Sequence, residues 1–227
     1  MAGKLFILSA PSGSGKSTLV NQLRSLVEDL DFSISYTTRA ERGSEQDGRE
    51  YHFITRQQFE QMIAHDDFLE FAEVFGNYYG TARSSIEYAG KAGRDLILDI
   101  DIQGAAQVMR RFPQAVSIFI LPPNTEVLGQ RLRRRSQAEH VNSEAIIATR
   151  LSAANEEVAQ WRHYRYALVN DRLEDAIDQL KAIVEFERGT APAESARTAQ
   201  ECLTSRPSER LLNALRAFHL PTAQPQV

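Results

Sequence analysis

The sequence contains very little cysteine and no long apolar run. Cys202 is the only cysteine in 227 residues, so neither an intramolecular disulfide nor a cysteine-based zinc site can form. This composition favours a reducing compartment. No apolar stretch reaches the length of a transmembrane helix, and the run near the N-terminus ends at Pro11, too early for a signal peptide. We therefore expect a cytoplasmic protein with no membrane partner.

An excess of basic charge is also missing. The formal net charge is −4, whereas a protein that binds the phosphate backbone of a nucleic acid is expected to be basic. We therefore expect no nucleic-acid partner. Hydrophobic residues make up 42% of the chain and charged residues 25%, which is ordinary for a globular protein and argues against general disorder.

Apolar segments of strand length alternate with amphipathic segments of helix length. Residues 5–10, 95–100 and 115–121 are nearly continuous apolar runs, which are typical of strands buried on both faces. Helices are predicted between them, for example over 16–30 and 102–111. This alternation predicts an α/β fold with a parallel five-stranded core sheet and helices on both faces.

The composition changes after Gly189 to Ala, Ser, Thr, Pro and Gln. In this segment, residues 208–220 alone have apolar residues at helical spacing. We predict that 190–227 is a weakly ordered tail with one helix. That helix is a candidate contact in a homo-oligomer, and a loosely packed terminus explains the pattern equally well.

A loop rich in glycine and serine lies between the first predicted strand and the first predicted helix. It matches the P-loop pattern, except that Ala10 stands where the first glycine is usual. Glycines allow backbone N–H groups to turn toward phosphate oxygens, and the helix N-terminus adds partial positive charge. Lys16 would contact the β- and γ-phosphates of a nucleoside triphosphate, and the Ser17 hydroxyl can bind Mg²⁺. The predicted nucleotide-binding residues of this loop are Ala10, Pro11, Ser12, Gly13, Ser14, Gly15, Lys16, Ser17 and Thr18.

Two aspartates follow the second buried strand. Asp99 ends the apolar run, in a position to hold Mg²⁺ or its water ligands near the phosphate loop. Asp101 lies two residues further and points to the same side of an extended chain. The alternative is that the pair caps the next helix, but the strand before it favours a functional site.

Two arginines lie three residues apart beside hydroxyl side chains. Arg39 and Arg42 are followed by Tyr51, and Tyr79 lies in a second tyrosine-containing segment. Guanidinium groups can donate two hydrogen bonds to one phosphate, so this set suits a dianionic phosphate group. Taken alone, an arginine pair on a loop is more often a solvated surface.

Jointly, these motifs resemble the guanylate kinase family. The matching segments are residues 10–18, 36–39 with Arg42, 51–53, 68–81, 98–104, 118–123, 150–154 and 169–171. They occur in the family's order over about residues 4–188. The resemblance implies a P-loop NTPase fold with a core, a small mixed α/β GMP-binding region and a helical lid. The implied core comprises 1–33, 91–124 and 163–189, the GMP-binding region 34–90 and the lid 125–162.

The resemblance implies transfer of the γ-phosphate of ATP to GMP, and to dGMP, with Mg²⁺ as cofactor. The implied ligands of the GMP phosphate are Arg39, Arg42, Tyr51 and Tyr79, and the implied guanine-reading residues are Ser35, Glu70, Thr81 and Asp101. The chemistry agrees, because guanine presents an O6 acceptor beside N1–H and N2–H donors, which match hydroxyl donors and carboxylate acceptors. Adenine would place its N1 acceptor against a carboxylate, so AMP should be rejected.

Four arginines within five residues crowd one helix, and their charges repel unless an anion neutralises them. Two of them, Arg133 and Arg134, are expected at a solvated surface. The resemblance implies that the catalytic residues are Lys16, Arg131, Arg135 and Arg150. It also implies that Asn170 lies on the adenine side of the ATP site.

Two other functions explain part of the sequence. A non-catalytic, guanylate-kinase-like scaffold domain would bind proteins in its GMP cleft, but the intact Lys16–Ser17 pair argues against it. A P-loop kinase acting on another phosphorylated acceptor, such as a ribose bisphosphate, would not need Glu70 and Asp101 together with Ser35.

Overall fold

The computed structural model describes residues 3–138 and 144–220, with the backbone alone for residues 135 and 138. Its strands are β1 (Leu5–Ser9), β2 (Leu30–Phe32), β3 (Tyr36–Thr37), β4 (His52–Phe53), β5 (Phe68–Val74), β6 (Asn77–Ala82), β7 (Asp95–Asp99), β8 (Val116–Leu121) and β9 (Tyr166–Val169). Its α-helices are α1 (Lys16–Leu26), α2 (Arg56–Ala64), α3 (Arg83–Ala92), α4 (Ile102–Arg111), α5 (Thr125–Ala138), α6 (Glu144–Val158), α7 (Leu173–Arg188), α8 (Ala193–Glu201) and α9 (Glu209–Ala217). A 3₁₀ helix covers Ala159–His163.

A five-stranded sheet has the strand order β2-β7-β1-β8-β9. Strand β7 pairs in parallel with β1 and β2, and β8 pairs in parallel with β9. Residues on both faces of β7, β8 and β9 are buried, which explains why these strands are continuous apolar runs in the sequence. The predicted α/β fold with a five-stranded parallel sheet is confirmed.

The chain forms two compact units. The first comprises the residues up to Ser9 and Val27–Ser117, and the second comprises Ala10–Leu26 and the residues from Ile118 onward. These units do not follow the boundaries expected for a core, a GMP-binding region and a lid, so those boundaries stay predictions. Residues 139–143 of the predicted lid lie outside the described residues.

The first unit contains a second sheet with the order β4-β3-β6-β5. Strand β6 pairs antiparallel with β3 and β5, and this register places Glu70 opposite Thr81. Helix α2 packs against this sheet through Phe59, whose ring lies 4.3 Å from that of Phe68. Thr55 caps α2 in a capping box, since its hydroxyl accepts from the Gln58 N–H at 3.2 Å.

In the second unit, α7 packs against α1 and β9, and α5 packs against α6. The side chain of Asn124 caps α5, because it accepts a hydrogen bond from the Val127 N–H at 2.7 Å. In this way the start of α5 is fixed immediately after β8.

The segment after Gly189 differs from the predicted weakly ordered tail with one helix. Over residues 190–220 it forms α8 and α9, and α9 packs against β9. Its backbone extends the sheet edge, because the Ala167 N–H donates to the Cys202 carbonyl at 2.8 Å. Helix α8 was not predicted because it is short and, within it, Ala199 alone is buried, so it has no apolar period. Residues 221–227 of the predicted tail lie outside the described residues.

Candidate active site

The glycine-rich loop connects β1 to α1, and α1 begins at Lys16. Gly13 and Gly15 have φ angles of 86° and 89°, in the left-handed region that favours glycine. The Ser14 N–H donates to the Pro11 carbonyl at 3.1 Å and closes the turn. The loop therefore has both features required to bind phosphate, namely glycine-dependent turns and a helix N-terminus. Lys16 is partly exposed and Ser17 exposed at that N-terminus.

The carbonyl oxygen of Ser14 accepts two side-chain hydrogen bonds. The Asn170 amide donates to it at 2.7 Å, and Arg131 Nη1 donates to it at 3.0 Å. The other guanidinium nitrogen of Arg131, Nη2, donates to the Asn170 carbonyl at 3.0 Å. Burial lowers the pKa of Arg131, although the charge of Asp171 acts in the opposite direction. Two of the predicted ATP-site residues are thus in direct contact with the phosphate loop.

The remaining predicted arginines lie on α5 and α6. Arg150 is partly buried on α6, and the side chain of Arg135 lies outside what the structure describes. Arg133 forms an exposed ion pair with Glu144 at 3.2 Å, consistent with its expected place at the surface. The structure therefore places Arg131 beside the phosphate loop and leaves the roles of Arg135 and Arg150 as predictions.

Three of the predicted guanine-reading side chains are buried in the first unit. Ser35 Oγ lies 3.4 Å from Thr81 Oγ1, and Glu70 lies opposite Thr81 across the β5–β6 pair. Glu70 is 3% exposed, although it is a carboxylate. Such burial is costly for a charged group unless polar partners surround it. Glu70 is therefore not a solvent-facing strand residue, and its role in reading guanine stays a prediction.

The carboxylate of Glu70 lies against the first turn of α4. A Cβ atom placed on Gly104 would lie 2.1 Å from Glu70 Oε2. Asp101 caps the same helix, because its Oδ1 accepts from the Gly104 N–H at 2.7 Å. The capping role weighed as an alternative for Asp101 is therefore present, and it brings Asp101 to the same turn as Glu70. Sequence reasoning missed Gly104, for which the signal was a glycine inside a helix.

The predicted phosphate-binding residues Arg39, Tyr51 and Tyr79 lie together in the first unit. The Arg39 guanidinium carbon is 5.2 Å from the centroid of the Tyr51 ring, and the Tyr51 and Tyr79 rings lie 5.9 Å apart. Arg42 is joined to this cluster through Glu45, whose Oε2 accepts from the Arg42 N–H at 2.9 Å. The structure thus brings together residues that are up to 40 positions apart in the sequence.

Glu45 is a residue of this cluster that sequence reasoning missed. Its carboxylate binds Arg39 through two hydrogen bonds, of 2.7 and 3.0 Å. Burial lowers the pKa of Arg39, but the hydrogen bonds and charge of Glu45 outweigh this effect, so the pKa is raised overall. Glu45 therefore orients the guanidinium. Its position three residues after Arg42 in the same loop was the available signal.

Burial and the charges of Asp99 and Tyr79 raise the pKa of Tyr51 to about 12. The phenol is therefore neutral near neutral pH and can donate a hydrogen bond. Asp99 ends β7 opposite Leu8 of β1. The Ser9 hydroxyl joins the ends of these strands, because it donates to the Ile100 carbonyl at 3.0 Å. Asp99 thus lies at the carboxyl edge of the sheet.

The described residues, 3–138 and 144–220, lack two kinds of feature. They contain no group of three or more His, Cys, Asp and Glu side chains arranged to hold a metal ion. None of their helices has both the length and the apolar character needed to cross a membrane.

A parallel α/β sheet with a glycine-rich phosphate loop between its first strand and first helix defines the class of P-loop NTPase folds. Comparison with known proteins identifies the family within this class. The family model described as guanylate kinase matches residues 2–187. The chain belongs to the guanylate kinase family.

Individual relatives agree with this assignment. The guanylate kinase of Koribacter versatilis (strain Ellin345) is 51% identical over 226 residues, which cover 96% of this chain and 97% of that protein. The guanylate kinase of Pseudomonas fluorescens (strain Pf0-1) is 51% identical over 181 residues, covering 80% and 86% of the two chains. The crystal structure of guanylate kinase from Anaplasma phagocytophilum matches with a TM-score of 0.68 and 34% identity, over 82% of this chain and 86% of that one.

Proposed function

We propose that this chain transfers the γ-phosphate of ATP to GMP, forming ADP and GDP, and that it also accepts dGMP. Membership of the guanylate kinase family together with an intact phosphate loop is the observation that carries this proposal. The reaction would supply GDP for purine nucleotide metabolism and recycle GMP.

The ATP phosphates would bind to the loop of residues 10–18 and the N-terminus of α1. Lys16 would place its charge on the β- and γ-phosphates. Arg131 supports the same assignment, because its guanidinium already lies on this loop and has only to turn to reach an anion bound there. Arg135 and Arg150 are proposed to add further positive charge, and Asn170 to border the adenine.

The phosphate of GMP would bind to Arg39, Arg42, Tyr51 and Tyr79. The engagement of Arg39 with Glu45 means that a bound phosphate would share this guanidinium with a carboxylate that orients it. The guanine base would be read by Ser35, Glu70, Thr81 and Asp101. Burial of Glu70 supports this specificity, because a buried carboxylate can accept from the N–H groups of guanine but would face the N1 acceptor of adenine.

The reaction needs no general base, because the attacking oxygen of GMP already carries negative charge. That oxygen would attack the γ-phosphorus in line, the bond from the γ-phosphorus to the bridging oxygen would break, and ADP would leave with the electron pair. Catalysis would come from positioning the two nucleotides and neutralising the charge on the transferred group.

Mg²⁺ is the proposed cofactor, and it would neutralise phosphate charge when bound with ATP. Ser17 offers a hydroxyl and Asp99 a carboxylate, and oxygen donors of this kind are the ligands that Mg²⁺ prefers. Mg²⁺ usually keeps several water ligands and relies on substrate phosphates, so few protein ligands are required.

We propose that the chain works in the cytoplasm without a nucleic-acid or membrane partner, on the basis of its single buried thiol and its net charge of −4. Self-association into a homo-oligomer stays a prediction.

An acceptor screen tests the proposed function. The rate of ADP formation from ATP would be measured with GMP, dGMP, AMP, UMP and ribose phosphates, each over a range of concentrations. The proposal predicts the highest kcat/KM with GMP, followed by dGMP. Turnover with a ribose bisphosphate would indicate the other P-loop kinase, and no turnover with any acceptor would indicate a scaffold domain.

A further inference from the structure

The Ser14 carbonyl connects three separate parts of the second unit. Asn170 follows β9 and lies 156 residues from Ser14 in the sequence, but its amide donates to this oxygen at 2.7 Å. The backbone of Asn170 is itself fixed, because its N–H donates to the Leu121 carbonyl at the end of β8. Asn170 is 4% exposed, so water competes little for these hydrogen bonds.

The orientation of the Ser14 carbonyl determines that of the next N–H group. Both belong to one planar trans peptide, in which the C=O and N–H bonds point in opposite directions. A carbonyl held toward Asn170 and Arg131 therefore directs the Gly15 N–H away from them. In a phosphate loop, N–H groups of this kind are the groups that bind the phosphate oxygens.

Gly15 and Asn170 also fit each other sterically. A Cβ atom on Gly15 would lie 2.5 Å from Asn170 Nδ2, closer than atoms in contact can approach. The absence of a side chain at Gly15 thus gives the amide room to reach the loop. The φ angle of 89° at Gly15 requires glycine as well, so the two constraints act on the same residue.

We propose that Asn170 is a positioning residue for the phosphate loop, which holds the Ser14–Gly15 peptide with its N–H group directed toward bound phosphate. This role differs from a contact with the adenine base, since it acts on the phosphates of any nucleotide. Arg131 holds the same carbonyl in the structure, but a guanidinium that turns to phosphate releases it. Asn170 is then the donor that maintains the orientation of the loop.

The inference rests on the proposed function in one respect, namely that ATP is the phosphate donor. Its test compares two ligands that share phosphates and differ in the base: ATP and inorganic tripolyphosphate. Their dissociation constants would be measured by calorimetry in one magnesium-containing buffer, for the wild type and for Asn170→Ala. The matched control is Asn213→Ala, which removes an exposed asparagine from α9 in the same unit.

Loss of the amide should raise the dissociation constants of both ligands by the same factor, about three- to tenfold, as expected for one hydrogen bond to a buried carbonyl. The KM for ATP should rise in parallel, while the KM for GMP stays within about twofold of wild type, the scatter usual for an unaffected site. The control should bind both ligands as the wild type does. Asn170→Leu, which keeps the size of the side chain without the donor, replaces the alanine variant if that variant does not fold.

Wild-type affinity for tripolyphosphate in the Asn170 variants would overturn the inference, whether or not ATP binding weakens. Weaker binding of ATP alone would indicate that Asn170 contacts the adenine base. Failure of the proposed function is recognised separately, as wild-type protein that binds both ligands but forms no GDP; the ligand comparison remains valid in that case. Wild-type protein that binds neither ligand would overturn both proposals.

Discussion

Gly104 provides the space in which the carboxylate of Glu70 lies. A Cβ atom at this position would be 2.1 Å from Glu70 Oε2, so Gly104→Ala must displace the carboxylate. Alanine is favoured over glycine in a helix by up to about 1 kcal/mol, so α4 itself should not be weakened. We expect the KM for GMP to rise about tenfold while the KM for ATP changes little, as expected for one disturbed polar contact of ~1–3 kcal/mol. Steady-state kinetics with each nucleotide varied in turn measure both values.

Gly90→Ala is the matched control for this variant. Gly90 lies in α3, where an added Cβ meets no atom within 4 Å, so both KM values should stay at wild type. Equal rises of both KM values in Gly104→Ala would contradict the assignment of Glu70 to guanine.

Tyr51 should make the stability of the chain depend on pH in the alkaline range. An unfolded tyrosine titrates near pH 10, whereas the pKa of Tyr51 in the folded chain is about 12. Between these values the unfolded chain loses the proton that the folded chain keeps. The free energy of unfolding should therefore fall as pH rises, by at most about 1.4 kcal/mol per pH unit. The contribution of Tyr51 to this pH dependence becomes very small below about pH 9, where both states keep the proton.

Urea unfolding at several pH values between 9 and about 11.5 would measure this slope. Tyr51→Phe should show a shallower fall than the wild type, since phenylalanine has no proton to lose. Tyr88→Phe, at an exposed position, should follow the wild type closely. Identical slopes for the wild type and Tyr51→Phe would contradict the buried environment described for Tyr51.

At the residue scale, the sequence was sufficient to predict the phosphate loop. It was not sufficient to predict the hydrogen-bond partner of each side chain. The phosphate loop was predictable because its chemistry requires glycines, Lys16 and Ser17 at fixed spacing. The bonds of Arg39 to Glu45 and of Asn170 to Ser14 were not predictable, because they depend on how loops and distant strands come together. Hydrogen bonds of this kind leave no periodic pattern in a sequence.

Helix α9 should be required for the stability of the second unit. Leu215 on this helix is fully buried, and truncation of a buried leucine to alanine typically costs about 2–5 kcal/mol. Leu215→Ala should therefore lower the free energy of unfolding by this amount. It should also raise the rate at which a disulfide reagent labels Cys202, because α9 and the segment around Cys202 both adjoin β9.

Cys202 is a suitable reporter, since it is the single thiol of the chain and is buried. Burial, with the charge of Glu201, raises the pKa of this thiol to about 12, so the reactive thiolate is scarce while the segment is folded. Leu26→Ala, at an exposed position of α1, is the control and should label at the wild-type rate. An unchanged labelling rate in Leu215→Ala would contradict the packing of the tail.

The elements that the sequence predicted well are those with a strong apolar pattern. Strands β7 and β8 are buried on both faces, so each is a nearly continuous apolar run in the sequence. Helix α8 was missed because a helix that buries little apolar surface leaves no such pattern. Its position depends on contacts with α7, which sequence periodicity does not encode.

At the scale of the whole molecule, the segment after residue 187 lies beyond the match to the family model. The family model ends at residue 187, whereas the relative from Koribacter versatilis matches 96% of the chain. Most of the segment after residue 187 is therefore shared with that relative. In this chain the segment covers the edge of β9, through α9 and the Cys202 carbonyl.

Product analysis tests the central claim, that the chain phosphorylates GMP with ATP, most directly. The protein would be incubated with ATP, GMP and UMP at equal concentrations, and the nucleotides and free phosphate would be separated and quantified. We predict equal amounts of GDP and ADP, with neither UDP nor free phosphate above the blank. Lys16→Ala should form very little GDP, because the lysine charge that neutralises the β- and γ-phosphates is lost. ADP formed with free phosphate in place of GDP, or UDP formed as fast as GDP, would contradict the account.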